Sequence, residues 1–279
     1  MTTPLPRDLA ARLITIETVA DPRIAGYRNI RERDLVRQGG FIAEGTVVLD
    51  HLLVSGRFAA TSLFILRNRV EGIADRLALV PEDVPIYVAE NAVMDAIAGF
   101  AVHRGVLAHA SERATDTDRT LAGFLDDAPK GGGPLVVAIG LANHDNVGAL
   151  FRNAAAFGAS GVVLDGASCH PLYRKAIRVS VGTALTLPWH HGAMASDIAD
   201  ALERSGHLPI ALSPKGEMQL TELTKGERLA LIVGSEGRGL PDALLRRCRT
   251  VRIEMAPGID SLNVATSAAI VLAKLYSAA

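Results

Sequence analysis

The apolar run that closes on VGSEGRGLPD, Val233 to Asp242, sets Gly234, Gly237 and Gly239 around one carboxylate, Glu236, just ahead of a helix start. Strand, glycine turn and helix start is the arrangement in which α/β folds meet anionic or nucleotide ligands, because free backbone N–H groups and a helix N-terminus face outward. The spacing is Gly-x-x-Gly-x-Gly, not the Gly-x-Gly-x-x-Gly of a dinucleotide site, and no Gly-Lys-Ser or Gly-Lys-Thr occurs to cradle phosphates. Taken alone, the stretch reads equally as a plain turn whose glycines supply positive φ. Two other stretches share its placement. NHDNVGALFRNAAAFG puts Asn143 and Asn146 at a strand-to-helix junction, with Arg152 one to two turns into an otherwise apolar, alanine-rich helix. IEMAPGIDSLNVATSAA runs from strand through loop to helix start and carries Ser261 and Asn263. Plainer roles exist for these residues too: asparagine and serine cap helices, and an arginine snorkels at a surface. Capping suits one of the two asparagines better than both, and Ser261 is well placed to cap the last helix.

The elements that must carry these residues follow from hydrophobic pattern. The chain has 279 residues, 49% hydrophobic and 21% charged, enough apolar content to bury a core and a length that favours two domains. In the first part, FIAEGTVVLDHLLVSG reads as a helix, SLFIL and PIYVA as short strands, NAVMDAIAGF as a helix capped near Asn91, and GVLAHA as a closing strand. The chain then turns polar and ends in DDAPKGGG, a turn-forming cluster. Residues 1–110 are therefore expected to form a small α/β domain, 111–133 a linker, and 134–279 a second domain. In that second part the apolar strands PLVVAIGL, GVVLD, LPIALS, RLALIVG and VRIEM alternate with helices, the rhythm of a parallel sheet covered on both faces. No internal repeat is visible.

Composition narrows the partners. Lys plus Arg number 29 and Asp plus Glu 30, so a polyanion must be met by a local cationic patch. Two such patches stand out: Arg23, Arg28, Arg31, Arg33 and Arg37 near the start, and Arg174, Lys175 and Arg178 later. A solvated face with Glu32 and Asp34 as charge partners explains the first equally well. Cys169 and Cys248 lack the spacing of a zinc site or redox dithiol, and no metal is expected. No apolar run spans a bilayer and the first residues lack the core of a signal peptide, which reads as a cytoplasmic chain with no membrane partner.

Taken in order, the three stretches resemble the three motifs of the SpoU family of RNA ribose methyltransferases, within the SPOUT superfamily. The first is Asn-x-Gly-x-x-x-Arg-x-Ala, here Asn146, Gly148, Arg152 and Ala154; the second is GSEGRGL; the third is SLNVA after an Ile-x-Met strand. Between them, Arg178, Ser180 and Gly182 resemble the family's Arg-x-Ser-x-Gly segment. The similarity runs from Pro134 to the C-terminus. The first domain resembles, less closely, a small substrate-binding domain related to ribosomal proteins that bind bent RNA, its HRGVLA paralleling His-Gln-Gly-Val with Arg104 in place of Gln. Glu254, Pro257 and Ala265 depart from the family's usual Pro, Gly and Ser.

The resemblance implies a parallel-sheet domain tied in a trefoil knot, S-adenosylmethionine as cofactor, and transfer of its methyl group to a ribose 2′-hydroxyl. It implies cofactor contacts at Gly234, Ile253 and Leu262, with glycines keeping the wall thin for main-chain recognition. Arg152 is the family-equivalent catalytic residue, oriented together with the ribose by Asn146, Glu236, Ser261 and Asn263. A guanidinium with a pKa above about 12 is a poor base, so the role expected of Arg152 is to stabilise the incipient alkoxide and bind the adjacent phosphate. The substrate is expected to be RNA, ribosomal (23S) ahead of transfer RNA, with Arg23, Arg28, Arg31, Arg33, Arg174, Lys175 and Arg178 on its phosphates. The small-residue closing helix implies a homodimer through the C-terminal domain. The rival reading is an RNA-binding protein that keeps the fold without catalysis.

Overall fold

The computed structural model describes residues 5–28, 31–98, 105–113, 120–129, 132–226 and 228–277; Arg104 and parts of the expected linker lie outside them. Contacts divide the chain into two units, Met1–Thr117 with Leu172–Thr186, and Asp118–Pro171 with Leu187–Ala279. This differs from the linear boundaries in two places. The helix Leu121–Asp126, within the expected linker, buries Phe124 and Leu125 in the second unit's core, and Leu172–Thr186 belongs to the first unit.

The first unit is built on a five-stranded sheet in the order β1 (Leu13–Thr15), β4 (Ile86–Ala89), β3 (Phe58–Leu66), β5 (Val106–Glu112) and β2 (Gly40–Glu44). β1 and β3 run parallel to β4, while β5 is antiparallel to both β3 and β2. The expected helix from Phe41 is a strand as far as Glu44, and only Thr46–Leu53 is helical. The reason is local: every residue of β2 is buried, a short apolar run has no readable period, and Gly45 at φ 99 turns the chain between the two elements. The Arg-rich segment is anchored by Tyr27, whose hydroxyl donates to Ser62 O at 2.9 Å and accepts from His109 N–H at 3.1 Å.

Leu172–Thr186 is stitched into this unit by side chains. Its helix, Arg174–Val179, lies against β2; Arg174 N–H donates to Glu32 Oε2 at 3.2 Å, and Ser55 Oγ donates to Leu185 O at 2.7 Å. Gly182 is bare because a Cβ there would stand 2.8 Å from the His51 ring. The helix ends in a paired cap, with Val181 N–H on Arg178 O at 3.1 Å and Gly182 N–H on Ile177 O at 3.0 Å. That cap puts Val181, a β-branched residue, at φ 56, where glycine is the natural occupant. Val181→Gly is therefore expected to stabilise the chain by about 1 kcal/mol, net of its freer unfolded state, read as a higher urea midpoint.

The second unit is a seven-stranded sheet in which every pairing is parallel: β10 (Met218–Gln219), β12 (Arg249–Arg252), β9 (Leu208–Leu212), β11 (Leu229–Gly234), β6 (Leu135–Ile139), β7 (Gly161–Asp165) and β8 (Trp189–Ala193). All five residues of β6 and of β7 are buried, as expected of central strands covered on both faces. Parallel register brings all carboxyl ends to one edge: Gly234 pairs with Ile139, and Val251 with Leu212. The turns after β6, β9, β11 and β12 thus leave the sheet side by side.

Just before β9, the turn Ser205–His207 holds a histidine away from water. His207 is 6% exposed, its Nδ1 lies 2.7 Å from Ser205 Oγ, and burial, reinforced by the positive charge of Arg228, pushes its pKa down to about 4. Above its ordinary value the ring is neutral in both states; below it, the unfolded chain takes up a proton that the folded chain refuses until about pH 4. Stability is expected to fall by roughly 2–3 kcal/mol as pH drops from about 6.5 to about 4. Urea midpoints across that window check this, and His207→Gln should flatten the slope.

Candidate functional site

Three loops converge at the carboxyl edge of the second unit's sheet. After β6, Asn143 caps the helix His144–Ala156, its Oδ1 accepting from Asp145 N–H at 2.8 Å. Asn146, one turn on, is free of capping duty and 7% exposed, and its Nδ2 donates to Glu236 Oε1 at 2.8 Å. Asn263 Nδ2 donates to Asn146 Oδ1 at 2.8 Å and to Glu236 Oε1 at 3.1 Å, closing a triangle. The Oδ1 of Asn263 accepts from Ala265 N–H at 3.0 Å and Thr266 N–H at 3.2 Å, so Asn263, and not Ser261, caps the last helix, Val264–Ser277. Its cap fixes the amide, which leaves Nδ2 aimed at the other two members.

The glycine loop has a local reason for its bareness. A Cβ on Gly234 would lie 2.5 Å from the Gly239 carbonyl carbon, because Ser235 and Gly239 pair across a tight turn with Gly239 N–H on Ser235 O at 3.0 Å. Gly237 and Gly239 sit at φ 84 and φ 65 with open space around them. The turn's own backbone excludes a side chain at Gly234, and positive φ selects the other two.

Beneath this turn lies a cavity of about 570 Å³ whose lining includes Gly234, Ile253 and Leu262, the three expected cofactor contacts, with Glu236 and Ser261. Apolar side chains such as Val233 and Leu245 share it with two cations, Lys215 and Arg238, and, besides Glu236, two further acids, Asp242 and Asp260. Lys215 carried a readable signal, since it follows the strand LPIALS in the same strand-to-turn position as the other loops. Asn153 is a second side chain that sequence reasoning missed: its Nδ2 donates to Ala265 O at 2.9 Å and joins the Asn146 helix to the last one. It stands two turns beyond Asn146 on the same face.

Arg152 is not in this assembly. It is exposed, does not line the cavity, and its side chain makes no hydrogen bond or ion pair with the described residues. Six residues past Asn146, it is displaced about 9 Å along the helix and about 120° around it.

The seven cations expected on RNA all fall in the first unit, where the early and late patches are joined by the Arg174–Glu32 ion pair at 3.4 Å. Arg23 is paired with Asp21 at 2.6 Å, and its guanidinium holds the Asp21 carboxyl down at about 2. Arg28, Arg31, Arg33 and Arg178 have no ion pair with the described residues. Both cysteines are free, and burial pushes each thiol up to about 11, which keeps them protonated. Among the described residues no three His, Cys, Asp or Glu side chains cluster to hold a metal ion, and no helix is long and apolar enough to cross a membrane.

Comparison with known proteins matches the cavity-bearing part of the chain as a whole. The model of the SpoU rRNA Methylase family matches residues 134–273. An uncharacterized tRNA/rRNA methyltransferase of Mycobacterium tuberculosis is 37% identical over 260 residues, covering 90% of this chain and 87% of the relative. One from Synechocystis sp. is 27% identical over 275 residues, covering 96% and 94%. A solved RNA 2′-O ribose methyltransferase superposes with a TM-score of 0.76 at 26% identity, covering 95% of this chain and 98% of that one. The AdoMet-bound rRNA methyltransferase from Sinorhizobium meliloti shares the fold, with a TM-score of 0.77 at 23% identity over 94% and 96%. By the family match and the near full-length likeness to its relatives, the chain belongs to the SpoU rRNA Methylase family.

Proposed function

We propose that this chain transfers a methyl group from S-adenosylmethionine to a ribose 2′-hydroxyl of RNA, ribosomal RNA ahead of transfer RNA. The observation that carries the reading is the Asn146–Glu236–Asn263 triangle, whose Glu236 lines a cavity together with Gly234, Ile253 and Leu262. The residues present fit the cofactor. About 570 Å³ falls within the roughly 300–1,000 Å³ of small-molecule sites, apolar side chains suit an adenine ring, and the mixed charges of Lys215, Arg238, Asp242 and Asp260 suit a zwitterionic amino-acid end. When bound, the cofactor supplies an electrophilic methyl carbon on a sulfonium.

The protein's own part is positioning and charge. Glu236 Oε1 is taken up by two amide donors, whereas its Oε2 has no bond with the described residues and is left to accept an incoming hydroxyl's hydrogen bond and, as the ether bond forms, its proton. Ser261, which also lines the cavity, supplies a second hydroxyl partner. Arg152 binds the neighbouring phosphate and stabilises the negative charge that grows on the ribose oxygen. Because one chain leaves Arg152 unpartnered, RNA or a second copy must complete its surroundings. A homodimer through the C-terminal domain accords with the exposed Ile259, Leu262 and Tyr276 at the last helix and its approach. The trefoil knot is part of the same reading and rests on family membership. Arg28, Arg31, Arg33, Arg174, Lys175 and Arg178 meet RNA phosphates, and Arg23 joins them by exchanging Asp21 for phosphate.

Two measurements test the proposal. Calorimetry with S-adenosylmethionine should show one site per chain, and ribose-methylation mapping should find one modified nucleoside missing from the RNA of a deletion strain. Absence of binding together with an unchanged map would refute it.

A further inference from the structure

The loop that leads to Asn143 and Asn146 is gripped at its base by a buried polar clasp that the methyl-transfer reading leaves unused. Its parts are Asp165, the last residue of β7, and Ser168, only 6% and 5% exposed. Asp165 Oδ1 accepts from Gly140 N–H at 2.9 Å, Ser168 N–H at 2.9 Å and Ser168 Oγ–H at 2.7 Å. With its own hydrogen directed at Asp165, Ser168 Oγ accepts from Leu141 N–H at 3.0 Å, and Cys169 N–H donates to Leu141 O at 2.8 Å. His191 on β8 steadies the far side, its Nε2 lying 3.0 Å from Ser168 O.

The consequence reaches the triangle. Gly140 N–H ends on the Asp165 side chain and both backbone groups of Leu141 on the loop after β7, not on a strand ladder, so no secondary structure holds them once the clasp is gone. Gly140 itself sits at φ 70, where a Cβ would stand 3.5 Å from the Ser235 Cβ. The clasp therefore sets the first residues of the Asn146 loop against the turn that carries Glu236. Three donors converging on one buried carboxylate oxygen make the anchor stiff and specific.

We propose that Asp165 and Ser168 are positioning residues, which hold Gly140–Asn143 so that Asn146 meets Glu236 and Asn263 at bonding distance during methyl transfer. The proposal rests on the reading above for its chemistry, and its test is chosen to fail separately. Full-length Ser168→Ala and Asp165→Asn are compared with the parent at a temperature where each is fully folded by circular dichroism. With no ligand present, amide exchange in 138–143 should speed up by about tenfold or more while exchange in β11 is unchanged. In turnover, kcat should fall by about 10–100-fold with KM for RNA and the calorimetric affinity for S-adenosylmethionine unchanged. Ser168→Thr, which keeps the hydroxyl, should recover most of kcat.

Unchanged exchange, or kcat close to the parent's in Ser168→Ala, overturns the proposal, as does a loss confined to cofactor affinity. Should Asp165→Asn not fold, Ser168→Ala decides alone. If the parent neither binds S-adenosylmethionine nor methylates RNA, the functional reading falls, and the exchange result still accepts or rejects the clasp.

Discussion

Arg152→Ala is expected to lower methyl transfer to RNA by about 10³-fold, the loss that follows removal of one group that stabilises a charge developing in the transition state. The structure makes this variant unusually clean. Arg152 is exposed, holds no partner among the described residues and is not part of the cavity wall. Its removal should shift folding stability by less than about 0.5 kcal/mol and leave cofactor affinity alone. The deficit should therefore lie in kcat, measured by single turnover with both substrates saturating. Arg152→Lys should recover only about tenfold of it, because an ammonium keeps the charge but lacks the planar fork that meets a phosphate and an alkoxide together. Turnover near the parent's in Arg152→Lys would rule out the fork. Normal turnover in Arg152→Ala would remove Arg152 from the mechanism.

Gly234→Ala should have the largest effect on the cofactor. The added methyl would stand 2.5 Å from the Gly239 carbonyl carbon and 2.7 Å from Leu240 N, contacts with backbone that no side-chain rotation relieves. The Ser235–Gly239 turn must move, at a cost of ~2 kcal/mol, and binding of S-adenosylmethionine should weaken roughly 30-fold. Gly237→Ala is the informative control. It meets nothing within 4 Å, and only its φ of 84 is unfavourable for alanine. Its affinity should drop far less than that of Gly234→Ala. Equal affinities for parent and Gly234→Ala in calorimetry would show that the cofactor does not lie against this turn.

What could be read from the chain alone was whatever has a local physical cause. LVVAI and LALIVG, and GVVLD up to its final Asp165, are apolar runs because parallel strands buried on both faces demand it, and all three are strands. The glycine turn, the asparagine-led helix start and the final helix declared themselves through conformational preference and capping chemistry, and their order carried the family resemblance. FIAE defeated the same reasoning, since a buried strand of five residues and the first turn of a helix look alike until something packs on them. The cap of the last helix was read two residues too early for a related reason: Ser261 and Asn263 can both cap, and only loop geometry chose between them.

Tertiary structure decided everything that joins distant residues. Asn146 and Glu236 are separated by 90 residues and Asn263 and Asn146 by 117, and nothing in either neighbourhood encodes a 2.8 Å bond between them. The same holds for Asn153 on Ala265, for Arg174 on Glu32, which draws a helix out of the second half of the chain into the first unit, and for Asp165 on Gly140. Residue type limits what a side chain is able to do, but which partner it meets depends on strand order and register. Those are set by the summed burial of a whole sheet, and that sum has no local signature.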